Sequence, residues 1–253
     1  MRLFAAPLWL PKNGNTTAEY EDAYWPKRSV EGISEHRFAV ADGATETSFS
    51  GIWAKQLVRA YCKGSMDSPV AMAETLDQLR RQWWHIVERK NLPWYASEKL
   101  KSGTYSALLG LTLYDKQHGE ADGTWVAIAI GDCCLVQIRA DSVVIAFPMT
   151  KSSAFSNRPA LVSTSKSPAD RQKELALVQS ASGAWRSEDR FFLMTDALAA
   201  WFLREYEQGR RPWEALRDVD HDPRLPFGEY VEGLRATHLI RNDDVTFYRI
   251  ELD

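Results

Sequence analysis

The sequence has few cysteines, and they do not form a pattern. Its 253 residues include only three, Cys62, Cys133 and Cys134, which are too few and too poorly spaced for a disulfide framework. Cys133 and Cys134 are neighbours, so in a strand they point to opposite faces and do not suit a shared metal ion. We therefore expect a protein of the reducing cytoplasm.

Neither sign of charge dominates, and no long apolar run is present. The chain carries 34 Asp and Glu against 31 Lys and Arg, for a formal net charge of −3. This balance argues against nucleic-acid binding through a strong basic field and against a disordered acidic tail. No apolar run approaches the roughly 20 residues that span a bilayer. Residues 3–10, interrupted by Pro7, do not resemble a signal peptide. We expect neither nucleic acid nor a membrane as a partner.

Two helices are predicted in the first third of the chain. Residues 38–41 form the first clear strand, and a helix capped by Ser48 or Ser50 follows it. A second helix is expected to begin at Ser68, its cap, with Pro69 in the first turn. Its apolar side chains recur at helical spacing, at Met72, Leu76, Leu79, Trp83 and Ile86.

Strands dominate the second half of the sequence. Gly131-Asp132 predicts a hairpin turn between two of them, and a helix is expected directly after Asp196. The strands themselves are predicted at residues 105–114, 125–130, 135–139, 143–147, 191–195 and 245–252.

The remaining segments complete a single α+β layered domain over residues 1–253. Residues 150–183 are rich in Ser, Lys and Pro and are interpreted as a surface excursion, with a helix near residues 172–178. A late helix is expected to begin at Asp222 and Pro223.

Carboxylates lie at the ends of several predicted strands. Asp42 and Asp196 each follow a strand directly, Asp243 precedes one, and Glu21 and Asp22 come before residues 23–25. If these strand ends meet at one edge, the like charges repel strongly unless cations neutralise them. Mg²⁺ and Mn²⁺ suit such oxygen ligands. Acids at element ends also serve as caps and turn formers, and this alternative remains open.

Six short motifs follow one another along the chain. Each is weak alone, but their order and spacing are specific, and they cover nearly the whole chain. The motifs are Glu21-Asp22, residues 39–43 (Ala-Val-Ala-Asp-Gly), residues 102–107 (Ser-Gly-Thr-Tyr-Ser-Ala), Ile130-Gly131-Asp132, residues 193–197 (Leu-Met-Thr-Asp-Ala) and residues 242–246 (Asn-Asp-Asp-Val-Thr). In this order they resemble the motifs of the metal-dependent type 2C serine/threonine protein phosphatases, and the chain resembles a divergent, bacterial-type member of that family.

The resemblance implies a fold and a reaction. The fold would be a four-layer α-β-β-α sandwich, with two antiparallel sheets packed face to face and helices on both outer faces. The reaction would be hydrolysis of phosphoserine and phosphothreonine by a water that bridges two Mn²⁺ or Mg²⁺ ions. A phosphorylated protein would be the substrate and a cognate Ser/Thr kinase a further partner. Residues 150–183 would form a flap beside the active site.

The resemblance also assigns metal ligands. Asp42 would bridge two ions. Glu21 and the Gly43 carbonyl would complete one shell, and Asp196 and Asp243 the other.

Further roles follow from the same resemblance. Asp132, together with Asp196, would hold a third, weaker ion. Asp22 would hydrogen-bond a metal-bound water, which makes Asp22 and Asp42 the expected catalytic residues. The two adjacent cysteines would be strand residues rather than nucleophiles.

One expected cation is missing from the sequence. The family carries an Arg that binds the substrate phosphate four residues before Glu21, where this chain has Thr17. A threonine lacks the charged fork of an arginine, so Lys12, Lys27 or Arg37 would have to substitute. Thr17 supports the alternative of a catalytically weak or silent regulatory module that binds a phosphoprotein or a kinase. A hydrolase of small phosphate esters is a third hypothesis.

Overall fold

The computed structural model describes residues 2–26, 34–45, 47–90, 100, 102–116, 122–156, 158–165, 168–219 and 226–253. The strands in these residues are β1 (Leu3–Leu10), β2 (Ala23–Trp25), β3 (Glu35–Ala41), β4 (Tyr105–Ser106), β5 (Leu108–Tyr114), β6 (Gly123–Ile130), β7 (Cys134–Arg139), β8 (Ser142–Phe147), β9 (Val162–Ser163), β10 (Gln179–Trp185), β11 (Arg190–Met194) and β12 (Val245–Leu252). The helices are α1 (Ser50–Cys62), α2 (Pro69–Val87), α3 (Pro168–Leu175), α4 (Asp196–Glu207), α5 (Pro212–Asp218) and α6 (Phe227–Ala236).

Two five-stranded antiparallel sheets form the centre of the fold. The first has the order β1-β12-β11-β7-β8 and the second the order β10-β6-β5-β3-β2, while β4 and β9 form a small separate pair. Phe38 and Leu109 of the second sheet belong to the same buried cluster as Phe191 and Tyr248 of the first. The sheets therefore pack face to face through a continuous apolar layer.

Helices cover the outer faces of both sheets. Trp53 and Leu57 of α1 share a buried cluster with Ala39 on the second sheet. Phe202 of α4 and Phe247 on the first sheet belong to another cluster, which also includes buried residues of α5 and α6. The predicted α-β-β-α sandwich is confirmed. Among the described helices, none is long and apolar enough to cross a membrane.

The two adjacent cysteines lie on opposite sides of the first sheet, as the sequence predicted. Cys133 belongs to the layer between the sheets and Cys134 to the layer beneath the helices. Both are fully buried. Burial raises the pKa of both thiols, which makes them poor nucleophiles.

Two details of the predicted helices are wrong, and one is confirmed. Ser68 Oγ accepts a hydrogen bond from the Ala71 backbone N–H at 3.1 Å and so caps α2. The last apolar position of α2 is Val87, which is fully buried, whereas Ile86 is 41% exposed. The cap of α1 is neither of the predicted serines, because Phe49 occupies that position with a φ of 62° and makes no side-chain cap.

Residues 150–183 are less of an excursion than predicted. They include β9 and α3, and α3 begins before the predicted residues 172–178. Their last residues belong to β10, which pairs with β6 along its whole length and is an edge of the second sheet. The sequence of β10, Gln-Ser-Ala-Ser-Gly-Ala-Trp, has no large apolar residue before its last position, Trp185, and so shows little of the pattern that marks a strand.

Other elements were not predicted. Strand β1 contains Pro7, which counts against a central strand. Within the part of the chain that the structure describes, β1 pairs only with β12 and is a sheet edge, where proline is tolerated. Helix α5 was also missed. The predicted helix start at Asp222 and Pro223 lies outside the described residues, and α6 begins at Phe227.

Candidate active site

Strand register brings the ends of β2 and β3 together. Ala23 pairs with Ala41, so Asp22 and Asp42, one residue further out, leave the two strands side by side. Both strands belong to the second sheet.

The first sheet supplies acids at the same end of the sandwich. Met194 pairs with Cys134 on one side and with Phe247 on the other. Continuing the pairing of β11 with β7 by two residues places Asp196 across from Asp132, which lies in the turn between β6 and β7. Asp196 is also the first residue of α4, where the helix dipole favours a negative charge.

The acids from the two sheets line one cleft. Its volume is about 450 Å³, and Asp42, Asp132, Asp196 and Asp243 all contribute to its walls. The structure thus brings together four of the residues selected from the sequence, from four separate positions along the chain.

Burial and mutual repulsion act on this acidic cluster. Asp42 is partly exposed to the cleft but otherwise enclosed by protein, and burial, followed by the negative charge of Asp22, raises its pKa well above the usual range. Burial and the charge of Asp196 raise the pKa of Asp132 to about 7. Burial also raises the pKa of Asp196, although Arg241 opposes this effect. The cluster is therefore a place where positive charge is strongly favoured.

Asp22 lies behind the cleft in a buried hydrogen-bond network. The Thr246 hydroxyl donates to Asp22 Oδ2 at 2.8 Å and contacts the Tyr20 hydroxyl. The Thr246 backbone N–H donates to Thr195 Oγ1 at 2.9 Å, which links the network to the residue before Asp196. Asp22 is 1% exposed, and burial, followed by the charge of Asp244, raises its pKa.

Gly43 permits a close backbone approach to Glu21. A Cβ atom at Gly43 would stand 2.6 Å from the Glu21 carbonyl oxygen and 3.0 Å from Ser50. The Glu21 carboxylate accepts a hydrogen bond from Ser50 Oγ at 2.5 Å and lies 3.6 Å from Lys12 Nζ. Glu21 therefore lies beside the four aspartates that line the cleft rather than among them.

Asp244 is a structural member of the site that the sequence did not single out. Its Oδ1 accepts the Lys12 backbone N–H at 2.8 Å, and its Oδ2 accepts the Glu21 backbone N–H at 2.7 Å. The 4% exposed carboxylate fastens the Glu21 segment to the loop that carries Asp243. The only signal for this role was the doubled Asp in the last motif.

Two arginines also line the cleft, and neither was predicted. Arg241 Nη2 donates to Asp196 Oδ2 in an ion pair, and Arg158 lines the cleft from the region between β8 and β9. Their role depends on tertiary position, so the motifs alone gave no sign of it.

The expected substitutes for the missing arginine have different locations. Thr17 is exposed in a short 3-10 turn. Lys12 Nζ lies at the site, 3.2 Å from Thr45 Oγ1. Arg37 lines a different cavity and pairs with Asp67, with Nη2 and Oδ2 2.9 Å apart. Lys27 lies outside the described residues.

The donor set fits a hard divalent cation. Asp196 Oδ1 is buried and has no hydrogen-bond partner among the described residues, although a buried carboxylate oxygen needs one. The side chains are held by protein partners: Asp196 Oδ2 by Arg241, and Asp243 Oδ1 by the Asp244 N–H at 3.0 Å. In this arrangement, no three acid, thiol or imidazole groups of the described residues converge closely enough to hold a metal ion.

Comparisons with known proteins identify the same architecture. A family model described as Protein phosphatase 2C matches residues 21–231. The S. agalactiae serine/threonine phosphatase has a similar structure, with a TM-score of 0.60, 10% identity and coverage of 100% of both chains. The catalytic domain of the phosphatase PstP with two manganese ions gives a TM-score of 0.56 and 14% identity, covering 99% of both chains. RsbX with magnesium gives 0.53 and 15%, covering 99% of this chain and 96% of that chain. A search of curated protein sequences finds no match.

Proposed function

The chain belongs to the protein phosphatase 2C family, and from this premise we propose that it hydrolyses phosphoserine and phosphothreonine in proteins with Mn²⁺ or Mg²⁺ as cofactor. The observation that carries the proposal is that Asp42, Asp132, Asp196 and Asp243 all line one cleft. Such a cluster is stable as carboxylates when divalent cations offset its charge.

The proposal assigns the metal ligands as the family motifs do. Asp42 would contact two ions, with Glu21 and the Gly43 carbonyl on one side and Asp196 and Asp243 on the other. Asp132 would share a third, weaker ion with Asp196. When bound, such cations lower the pKa of coordinated water and offset charge on the phosphoryl oxygens.

The chain's own residues orient the reacting groups. Asp22 is fixed by the Thr246 hydroxyl and lies beside Asp42, so in the proposal it orients the attacking water by accepting a hydrogen bond from it. Burial favours protonated Asp22, and neighbouring cations would favour its ionised form, which is the better acceptor. The walls of the cleft would place the phosphate ester against Asp42.

Steady-state kinetics test this proposal. The wild-type protein should hydrolyse p-nitrophenyl phosphate and a phosphothreonine peptide only when Mn²⁺ or Mg²⁺ is supplied. Asp42→Asn should reduce kcat by about a thousandfold, because the residue between the two ions loses its charge. Asp141→Asn, at a carboxylate that is 63% exposed, is the matched control and should keep full activity. Hydrolysis without metal, or full activity of Asp42→Asn, would contradict the proposal.

A silent regulatory module that binds a phosphoprotein or a kinase is the second candidate. It is favoured by Thr17, which is exposed and uncharged where the family has its phosphate-binding arginine. Calorimetry with Mn²⁺ separates the two functions. A phosphatase should bind the ion and turn over the peptide, whereas a silent module should bind weakly or bind without turnover.

A further inference from the structure

Arg241 is a cation at the acidic cleft for which the family motifs give no role. It lies two residues before Asp243, and its side chain is 50% exposed. It lines the cleft together with Asp42, Asp132, Asp196 and Asp243. A half-exposed guanidinium at this position is within reach of a ligand that enters the cleft.

Asp196 holds Arg241 in place with one oxygen. Its Oδ2 accepts the Arg241 Nη2–H, while its buried Oδ1 has no hydrogen-bond partner among the described residues. One carboxylate can therefore anchor the guanidinium through Oδ2 and contact a cation through Oδ1. A guanidinium has five N–H donors, so an arginine anchored to a carboxylate is still able to bind a phosphate.

We propose that Arg241 binds the phosphate group of the substrate and supplies the positive charge that Thr17 lacks. The inference rests on the proposed function, because it assigns a substrate contact within the same cleft. It extends that function by giving Asp196 two tasks, which are to position Arg241 and to contact the cation.

The other cations of the region fit this task less well. Lys12 is only 17% exposed, and its ammonium group lies against Glu21 and Thr45. Arg158 also lines the cleft. Among the described residues, however, Arg241 forms an ion pair with an acid of the cleft and Arg158 does not. An arginine fixed by a carboxylate loses less conformational freedom when it binds phosphate.

Binding of inorganic phosphate to the Mg²⁺-saturated protein tests the inference directly. Calorimetry should show that Arg241→Gln weakens phosphate binding about tenfold or more, as expected for lost charge-assisted hydrogen bonds. Arg241→Lys keeps the charge but loses the planar fork, so its affinity should lie between wild type and Arg241→Gln. KM for a phosphothreonine peptide should rise in the same order.

Arg217→Gln is the matched control. Arg217 is 48% exposed and pairs with Asp218 Oδ1 at 2.8 Å, so its exposure and pairing match those of Arg241, but it lines a different cavity. Its substitution should leave phosphate affinity within twofold of wild type. Thermal unfolding of each variant verifies the fold.

The result that overturns the inference is a phosphate affinity of Arg241→Gln within twofold of wild type. Tighter Mg²⁺ binding together with unchanged phosphate binding would show that Arg241 only neutralises Asp196. These outcomes differ from failure of the proposed function, in which wild type shows no metal-dependent hydrolysis even though Arg241→Gln weakens phosphate binding.

Discussion

Individual side chains in the cleft differ in how far the sequence revealed them. Asp42, Asp196 and Asp243 were identifiable because each lies within two residues of a strand end, in a short motif. Arg241 and Asp244 were not, because their roles depend on partners such as Asp196 that are distant in sequence. Spacing predicts which residues approach along one element, but side-chain pairing across the cleft depends on tertiary packing.

Gly43 provides a residue-scale prediction. Gly43→Ala should lower stability by about 1–3 kcal/mol and reduce metal-dependent activity, because the added methyl would stand 2.6 Å from the Glu21 carbonyl oxygen. Chemical denaturation and peptide hydrolysis would measure the two effects.

Gly233→Ala is the control for this substitution. Gly233 lies within α6, and a Cβ there meets nothing within 4 Å. The change should therefore stabilise the protein by about 0.5–1 kcal/mol through helix propensity. If Gly43→Ala were as stable and as active as Gly233→Ala, the close approach to Glu21 would be unimportant.

At the scale of elements, strong periodicity predicted more than weak patterns did. The cap of α2 was predictable because Ser68 and Pro69 precede a clear apolar stripe. Strand β10 was not, because its small and polar residues carry no strand signal, and β1 was obscured by Pro7. Pairing with β6 and with β12 stabilises these strands, and a single-strand pattern contains no information about a partner strand.

A buried ion pair joins α2 to α3 and β9. Arg80 Nη2 pairs with Glu174, and the two side chains are 7% and 1% exposed. Arg80 Nε donates to the Ser163 carbonyl at 3.0 Å, while Glu174 Oε1 accepts the Ser163 N–H at 2.9 Å. The two charges therefore hold β9 and α3 against the helix layer of the second sheet.

Removing the charge of Glu174 should loosen this junction. Glu174→Gln leaves the Arg80 charge incompletely compensated, and we expect a loss of about 2 kcal/mol in unfolding free energy. Hydrogen exchange should become faster in residues 162–165 and 172–175. Glu88→Gln, at a residue whose side chain is 60% exposed, should change neither quantity. Equal exchange in Glu174→Gln and wild type would show that the pair does not hold the segment.

At the scale of the whole molecule, the near-neutral composition conceals a local concentration of acid. The formal charge of −3 describes the sum, whereas four aspartates share one cleft. The layered architecture was predictable from motif order. The pKa values of the carboxyl groups in the cleft were not predictable, because they depend on how deeply each group is buried and on the repulsion between neighbouring charges.

This local charge predicts how stability depends on pH. The pKa of Asp132 is about 7 in the folded protein against an ordinary value of 3.8, so between these values the folded state retains a proton that the unfolded state has lost. Stability of the metal-free protein should therefore fall as pH rises through this window, by about 2 kcal/mol between roughly pH 5 and 7. Thermal unfolding in EDTA should show a decrease in Tm of roughly 5 °C.

Variants and metal provide the controls for the pH experiment. Asp132→Asn should make the pH dependence shallower but not abolish it, because the pKa values of Asp22, Asp42 and Asp196 are also raised. Asp141→Asn, at an exposed carboxylate, should leave the pH dependence unchanged. Added Mn²⁺ should raise Tm more at pH 7 than at pH 5, because ionised carboxylates bind the cation. A Tm that rises with pH in EDTA would contradict the account.

The central claim is that the acidic cleft binds divalent cations, and a crystal structure of the protein grown with Mn²⁺ tests it most directly. Anomalous difference maps should show at least two peaks, with Asp42 contacting both, Asp196 and Asp243 near one, and Glu21 and the Gly43 carbonyl near the other. An ordered cleft without an anomalous peak at Asp42, under saturating Mn²⁺, would contradict the claim.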